Sequence, residues 1–270
     1  MSDFNLDFLK EKAENIRKLT FKTIATFGTG HIGGSLSITE VLTALYFHSA
    51  NIDPARPNWA DRDRIILSKG HAGPGLYSAL VARGYFNEDV LLTLNKPGTK
   101  LPSHCDMNKT IGVDMTAGSL GQGLSAAVGM AIAGKLDRKK YNVYCIVGDG
   151  ESQEGQIWEA AMYAGSHNLN KLIVFLDNNK MQIDGPTDEV NSVEPVVDKW
   201  KAFNFKVLRV NGHDIATIID AIDVAKKSKK KPTMIVLDTV KAKGMPEYEG
   251  TPGSHSVTFT DELKKKYIGG

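Results

Sequence analysis

Four short apolar runs, separated by stretches of helical periodicity, dominate the second half of this 270-residue sequence and leave few folds open to it. The runs cover 142–147, 172–176, 205–210 and Thr233–Asp238, and the spacing predicts helices over 156–167, 195–203 and 215–227 between them. Near-continuous runs of Val, Ile and Leu suit strands buried on both faces, as in a parallel sheet covered by helices. Right-handed β-α-β crossovers then carry the C-terminal ends of all such strands to one edge, where ligands of these sheets bind. The expected fold class is therefore α/β, a mostly parallel central sheet with helices on both faces.

The first half is less regular. Residues 6–27 predict an amphipathic helix, with Phe8, Leu9, Ile16, Leu19 and Ile24 at helical spacing. The glycine-rich stretch 28–34 breaks it. Ser37-Ile38-Thr39-Glu40 reads as a capping box that opens a helix to about His48. Residues 51–61 hold Pro54 and Pro57 and form a loop. A short strand at Arg64–Leu67 runs into Ser68-Lys69-Gly70-His71. Helices are expected near 74–83 and 88–95, an irregular segment with His104 over 97–116, and an Ala/Gly-rich helix over 121–137. With no repeat and no long linker, residues 1–270 read as one large α/β domain.

Composition narrows the function classes. The formal net charge is only +2, so nothing in the electrostatics points to nucleic acid. The basic run Lys226–Lys231 reads as a solvated helix end. No stretch approaches the roughly 20 apolar residues of a membrane span, and the start of the chain carries Asp3 and Asp7 rather than an apolar signal core. The two cysteines, Cys105 and Cys145, lie far apart in no metal spacing, which suits a reducing cytoplasm.

The chemistry concentrates at two strand ends. The run 142–147 leads straight into Gly148-Asp149-Gly150, and the run 172–176 into Asp177-Asn178-Asn179. If the two strands are neighbours, Asp149 and Asn179 emerge side by side. A carboxylate and an amide carbonyl are hard oxygen ligands suited to Mg²⁺, Ca²⁺ or Mn²⁺, and the Met181 carbonyl fits a third position. Gly150 lets the backbone approach a phosphate, and the helix after 151–155 offers N–H groups and a positive dipole end. The segment reads as a metal-bridged diphosphate site. Four histidines, His31, His71, His104 and His255, each follow Gly or Ser in Gly- or Pro-rich loops. Neutral imidazoles exchange protons near pH 7 and suit a substrate rich in hydroxyls. His48, His167 and His213 read as ordinary surface or capping residues.

Gly148-Asp149-Gly150 followed by Asn178-Asn179 resembles the thiamine diphosphate motif. The segments starting at Gly30-His31, Ser68-Lys69-Gly70-His71, Thr116-Ala117-Gly118 and Asp177-Asn178-Asn179-Lys180-Met181 are similar to transketolase in particular. The resemblance implies that Asp149, Asn179 and the Met181 carbonyl hold the metal. It places His71, Gly148, Gly150, Glu151 and His255 near the diphosphate, with Asn179 and Lys241 beside them. Gly118 and Leu120 match backbone contacts to the aminopyrimidine, and Ile183 an apolar contact to the cofactor. His31, His71, His104 and His255 match the histidines around the reacting carbon, and Glu154 an acidic residue at the subunit interface that links paired sites. The sequence departs from the pattern at Cys105, where proline is more usual, and at Thr258-Phe259, where His-Gly is.

The same resemblance implies an incomplete site. Transketolases hold the aminopyrimidine on a second domain, whose glutamate activates the ring, and no carboxylate of this chain matches that glutamate. The expectation is therefore a split enzyme. It would need a C-terminal partner subunit of roughly 300 residues, paired as α₂β₂ because two-fold axes join such sites, and would act on sugar phosphates. The alternatives are a subunit of another thiamine diphosphate enzyme, either deoxyxylulose phosphate synthase-like or 2-oxo acid dehydrogenase-like, and a non-catalytic cofactor-binding module. A dinucleotide-binding oxidoreductase is not supported, because no Gly-x-Gly-x-x-Gly joins a first strand to a helix.

Overall fold

The computed structural model describes residues 4–269, so Asp3 of the charged N-terminal segment lies outside the described residues. The first helix, α1 (Leu6–Phe27), starts where the Asn5 side chain accepts the Phe8 N–H at 3.0 Å and stops at Gly28, whose φ of 103° only glycine adopts readily. After β1 (Thr29–Gly30) come the short helices α2 (Ile32–Leu36) and α3 (Thr39–Ala44), then a wider helical turn over Leu45–Ser49. The capping box is not formed: Ile38 occupies the cap, and the Ser37 hydroxyl donates to the Asp177 carboxylate at 2.6 Å instead. Burial beside an ionised carboxylate outcompetes a local cap, because a charge-assisted bond is roughly twice as strong as a neutral one.

Strand β2 (Arg64–Leu67) leads through a 3₁₀ turn into α4 (Gly73–Arg83), and the expected helix near 88–95 is a 3₁₀ segment, Glu88–Thr93. Helix α5 (Gln122–Leu136) precedes the regular half: β3 (Val143–Gly148), α6 (Gly155–Ser166) and β4 (Leu172–Asn178). The hairpin β5 (Met181–Gln182) and β6 (Gly185–Pro186) follows, then α7 (Thr187–Val190), α8 (Val196–Ala202), β7 (Lys206–Asn211), α9 (Ile215–Lys226) and β8 (Thr233–Asp238). The ribbon strand β9 (Val257–Thr258) and α10 (Asp261–Ile268) close the described chain.

The central sheet has the order β2-β3-β4-β8-β7, every pair parallel. Side chains alternate between its faces, as the pleat requires. Tyr144, Ile146, Ile173, Phe175, Ile235 and Leu237 join one buried cluster under α1, α3, α4 and α9. Val143, Cys145, Val147, Val174, Leu176 and Val236 join the other, with α5, α6 and Trp200 of α8. Cys145 is a buried free thiol, as its run implies. Each buried Val, Ile or Leu contributes up to about 2 kcal/mol, so both faces hold the sheet rigid beneath the strand ends. Separately, β1 and β9 pair antiparallel, Gly30 opposite Val257, and this ribbon carries the C-terminal His255 segment to the loop of His31. Among the described residues no helix is long and apolar enough to cross a membrane.

Helix packing sets a sharp contrast between two glycines. A Cβ on Gly165 of α6 would lie 1.8 Å from the Phe203 carbonyl oxygen, whereas Gly129 of α5 faces open space. Overpacking costs about 1–3 kcal/mol and exceeds the gain of about 1 kcal/mol from replacing a helical glycine by alanine. Gly165→Ala is therefore expected to lose about 2 kcal/mol, and Gly129→Ala to gain up to about 1 kcal/mol, in urea unfolding of the isolated chain.

Candidate active site

The register of β3 against β4 sets Gly148 opposite Asp177, and β4 against β8 sets Asp177 opposite Leu237. Three strands thus end level, and the residues just beyond them enter one cleft of ≈ 410 Å³. Its lining includes Asp149, Asn179, Met181, Lys241 and all four loop histidines. Asp149 accepts the Gly150 N–H at 2.8 Å and the Lys180 N–H at 2.5 Å, so its carboxylate lies on the same turn as Asn179. Asn179 Oδ1 accepts the Met181 N–H at 3.1 Å, and its Nδ2 donates to Asp177 Oδ2 at 2.8 Å. The Met181 carbonyl accepts from Lys241 Nζ at 3.0 Å, which also lies 3.2 Å from His255 Nδ1.

The electrostatics follow from burial. Asp149 is pushed up to about 7, first by burial and then by Asp177, against the pull of its two N–H donors. Lys241 is pushed down to about 8 by burial and by Lys69. A carboxylate disfavoured as an ion, an amide oxygen and a carbonyl together make a donor set that a hard divalent cation satisfies. No group of three or more His, Cys, Asp and Glu side chains suited to a metal exists among the described residues. A set built on one carboxylate, one amide and one backbone oxygen needs no such group.

Glu151 is 3% exposed and contributes to the lining of the cleft. Its carboxylate accepts the N–H groups of Gly121 at 2.8 Å and Gly148 at 2.9 Å and the Ser68 hydroxyl, tying three loops together. Burial raises its pKa above the ordinary value, and those three donors oppose the rise. Gln156 Nε2 donates to the Leu120 carbonyl at 2.7 Å, fixing the Gly118–Leu120 strip along the cleft. The rim is exposed: Ile183 at 67% and, at the start of α6, Glu154, which has no ion pair among the described residues.

The four histidines converge although their loops are far apart in sequence. Ring centroids of His31 lie 5.5 Å from His71, 5.5 Å from His104 and 5.2 Å from His255, and His71 lies 5.2 Å from His255. Burial lowers His31, with His104 and Lys241 adding to it. Burial and then Lys69 hold His71 well below the usual imidazole range, and burial and Lys241 push His255 down to about 3. These three rings are neutral near pH 7, and His31 Nδ1 is buried without a hydrogen-bond partner among the described residues. The loops touch backbone to backbone: a Cβ on Gly33 would lie 2.3 Å from the Ser254 carbonyl oxygen, and one on Gly70 2.4 Å from that of Ala117.

The other histidines stand apart. His167 stacks on Tyr163 at 3.8 Å and His48 lies against Phe4. His213 does not cap α9, since Asp214 does; its ring bonds Glu40 and accepts the Val240 N–H. Three residues of the site escaped the sequence reading: Lys69, Asp177 and Thr239. Lys69 Nζ, 1% exposed, donates to Asp177 Oδ2 at 2.6 Å and to the Gly34 carbonyl at 2.9 Å. Thr239 donates to Asp177 Oδ1. Burial alone would raise Asp177, yet Lys69, Ser37 and Thr239 hold it below the usual carboxylate value. The available signal was spacing, because each of the three precedes a cleft residue by two positions: His71, Asn179 and Lys241.

Comparison with known proteins shows the family. The family described as "Transketolase, thiamine diphosphate binding domain" matches residues 9–267. The chain is 55% identical over 268 residues to the 6-deoxy-6-sulfo-D-fructose transketolase subunit SqwG of Clostridium sp. (strain MSTE9), covering 99% of this chain and 97% of that one. It is 39% identical over 263 residues to one subunit of the apulose-4-phosphate transketolase of Phocaeicola vulgatus, covering 97% and 93%. The crystal structure of transketolase from Campylobacter jejuni superposes with a TM-score of 0.91 at 34% identity, and this chain covers 42% of its length with 98% of its own. The chain belongs to the transketolase family and is a thiamine diphosphate-binding transketolase subunit.

Proposed function

We propose that this chain, as one domain, holds the diphosphate and metal of a split transketolase, which moves a two-carbon ketol unit from a ketose to an aldose. The observation that carries the reading is the convergence of four imidazoles on the cleft that Asp149, Asn179 and Met181 enter. Asp149, Asn179 Oδ1 and the Met181 carbonyl would hold Mg²⁺, or Ca²⁺ or Mn²⁺ in its place, and the cation would offset the charge of the diphosphate. When bound, the cofactor supplies the electron sink for C–C cleavage. The protein's share is placement and proton transfer. Gly150, His71, Lys241 and His255 would flank the diphosphate, Gly118 and Leu120 would offer backbone to the aminopyrimidine, and Ile183 would make an apolar contact to the cofactor. His31 and His104 reach the substrate hydroxyls, where a neutral imidazole accepts or returns a proton.

The partner is a separate C-terminal subunit that carries the pyrimidine-binding domain and its glutamate, joined as α₂β₂ in a reducing cytoplasm. The exposed rim at Glu154 and Ile183 supports this docking edge. The donor is a ketose with an anion at its far end. A relative at 55% identity acts on 6-deoxy-6-sulfo-D-fructose, and one at 39% on apulose 4-phosphate, which favours a sulfonate over a phosphate.

Ketol transfer should be absent with this chain alone and appear when the partner is added; robust turnover by the single chain defeats the split arrangement. With both subunits present, 6-deoxy-6-sulfo-D-fructose should outpace fructose 6-phosphate in donor kcat/KM, and the reverse order overturns the sulfonate assignment. Asp149→Ala should weaken Mg²⁺-dependent cofactor binding by about 100-fold or more, above the 10–100-fold typical of residues that only support a ligand, as measured by calorimetry. His31, His71 and His255 titrate below the ordinary value near 6.5, so they stay neutral as pH falls through 6.5. A covering partner buries them further. The acid limb of donor kcat/KM should therefore lie below pH 6.5, and a limb at or above 6.5 contradicts this burial.

A further inference from the structure

The two ends of an asparagine amide have nearly one shape and opposite chemistry. Only the oxygen can ligate a cation, so something must decide which end of Asn179 faces the cleft. In this structure Nδ2 donates to Asp177 Oδ2 at 2.8 Å, and Oδ1 accepts the Met181 N–H at 3.1 Å. A flipped amide would set oxygen against a carboxylate and NH₂ against an N–H donor. Asp177 is 0% exposed and its oxygens meet four donors: Ser37, Lys69 and Asn179 on Oδ2, and Thr239 on Oδ1. The buried Lys69 ammonium balances its charge. The carboxylate itself is pinned by the sheet, since Asp177 pairs with Gly148 on one side and Leu237 on the other.

We infer that Asp177 is a positioning residue, which fixes the Asn179 amide with its oxygen toward the cleft and thereby makes Asn179 a metal ligand. The inference rests on the metal reading above and extends it to a residue that is not among those lining the cleft. The same anchor holds the roots of two other loops, through Lys69 two residues before His71 and Thr239 two residues before Lys241.

Replacing the buried pair as a unit separates orientation from stability, because a well-packed apolar substitute for a buried ion pair is often tolerated. Lys69→Met/Asp177→Asn keeps an acceptor for Asn179 Nδ2, and Lys69→Met/Asp177→Leu has none. Mn²⁺ affinity is read by electron paramagnetic resonance with thiamine diphosphate and the partner subunit present, alongside melting temperature. The Leu variant should bind Mn²⁺ about 10–100-fold more weakly than the Asn variant, the range usual when a ligand loses its support. Adding Asn179→Asp to both should close that gap, since a carboxylate offers oxygen at either end. Equal affinities of the two double variants, or a gap that survives Asn179→Asp, overturn the proposal. If the wild type binds no Mn²⁺, the metal reading fails and this inference with it. If the wild type binds and only the gap is missing, this inference alone fails. Should the Leu variant not fold, the wild-type Asn179 NH₂ protons decide by NMR. Slow solvent exchange, before and after Mg²⁺ and cofactor are added, supports the proposal, and fast exchange sinks it.

Discussion

The site depends on one constraint, the parallel register that ends β3, β4 and β8 at the same height. Gly148, Asp177 and Leu237 lie side by side in the ladder, so the residues that follow them cannot avoid meeting. A slip of one residue would turn every side chain of a strand to the other face. Both faces are buried here, and the alternation of Tyr144, Cys145, Ile146 and Val147 between two apolar clusters makes such a slip prohibitive. Packing far from the cleft thereby sets where Asp149 and Asn179 stand.

Around that edge, burial does the electrostatic work. It pushes the Asp149 carboxylate up, the Lys241 ammonium down, and His31, His71 and His255 towards neutrality. Asp177 escapes the trend because an ammonium and two hydroxyls converge on it. The cleft therefore has one buried salt bridge, Lys69–Asp177, behind groups whose charged forms burial disfavours. Such groups cost less to desolvate than fully charged ones.

Much of this was legible in the sequence, for physical reasons. Strands such as Leu172–Asn178 announce themselves because a parallel strand buried on both faces must be apolar throughout. Asp149 and Asn179 were legible as neighbours because each follows closely on an apolar run, and two parallel strands carry such residues to one cleft. Lys69, Asp177 and the hydrogen bonds of Glu151 to Ser68 and Gly121 were not, because a buried charge is recognisable only by its partner, and those partners lie far away in the chain. Ser37 misled for the same reason: its local pattern fits a helix cap, and a carboxylate distant in sequence claims its hydroxyl. His213 looked like a turn residue until Glu40 and Val240 were seen on its two nitrogens.

The backbone contacts at Gly33 and Gly70 carry a consequence for how this chain can diversify. With carbonyl groups pressed into the space where any side chain would begin, the histidine-bearing loops behave mechanically as a single block. Lengthening one by a residue would displace its neighbours, and with them every imidazole at once. Change in sugar preference must then come from surfaces outside that block, which leaves the exposed rim and whatever docks upon it as the part free to vary.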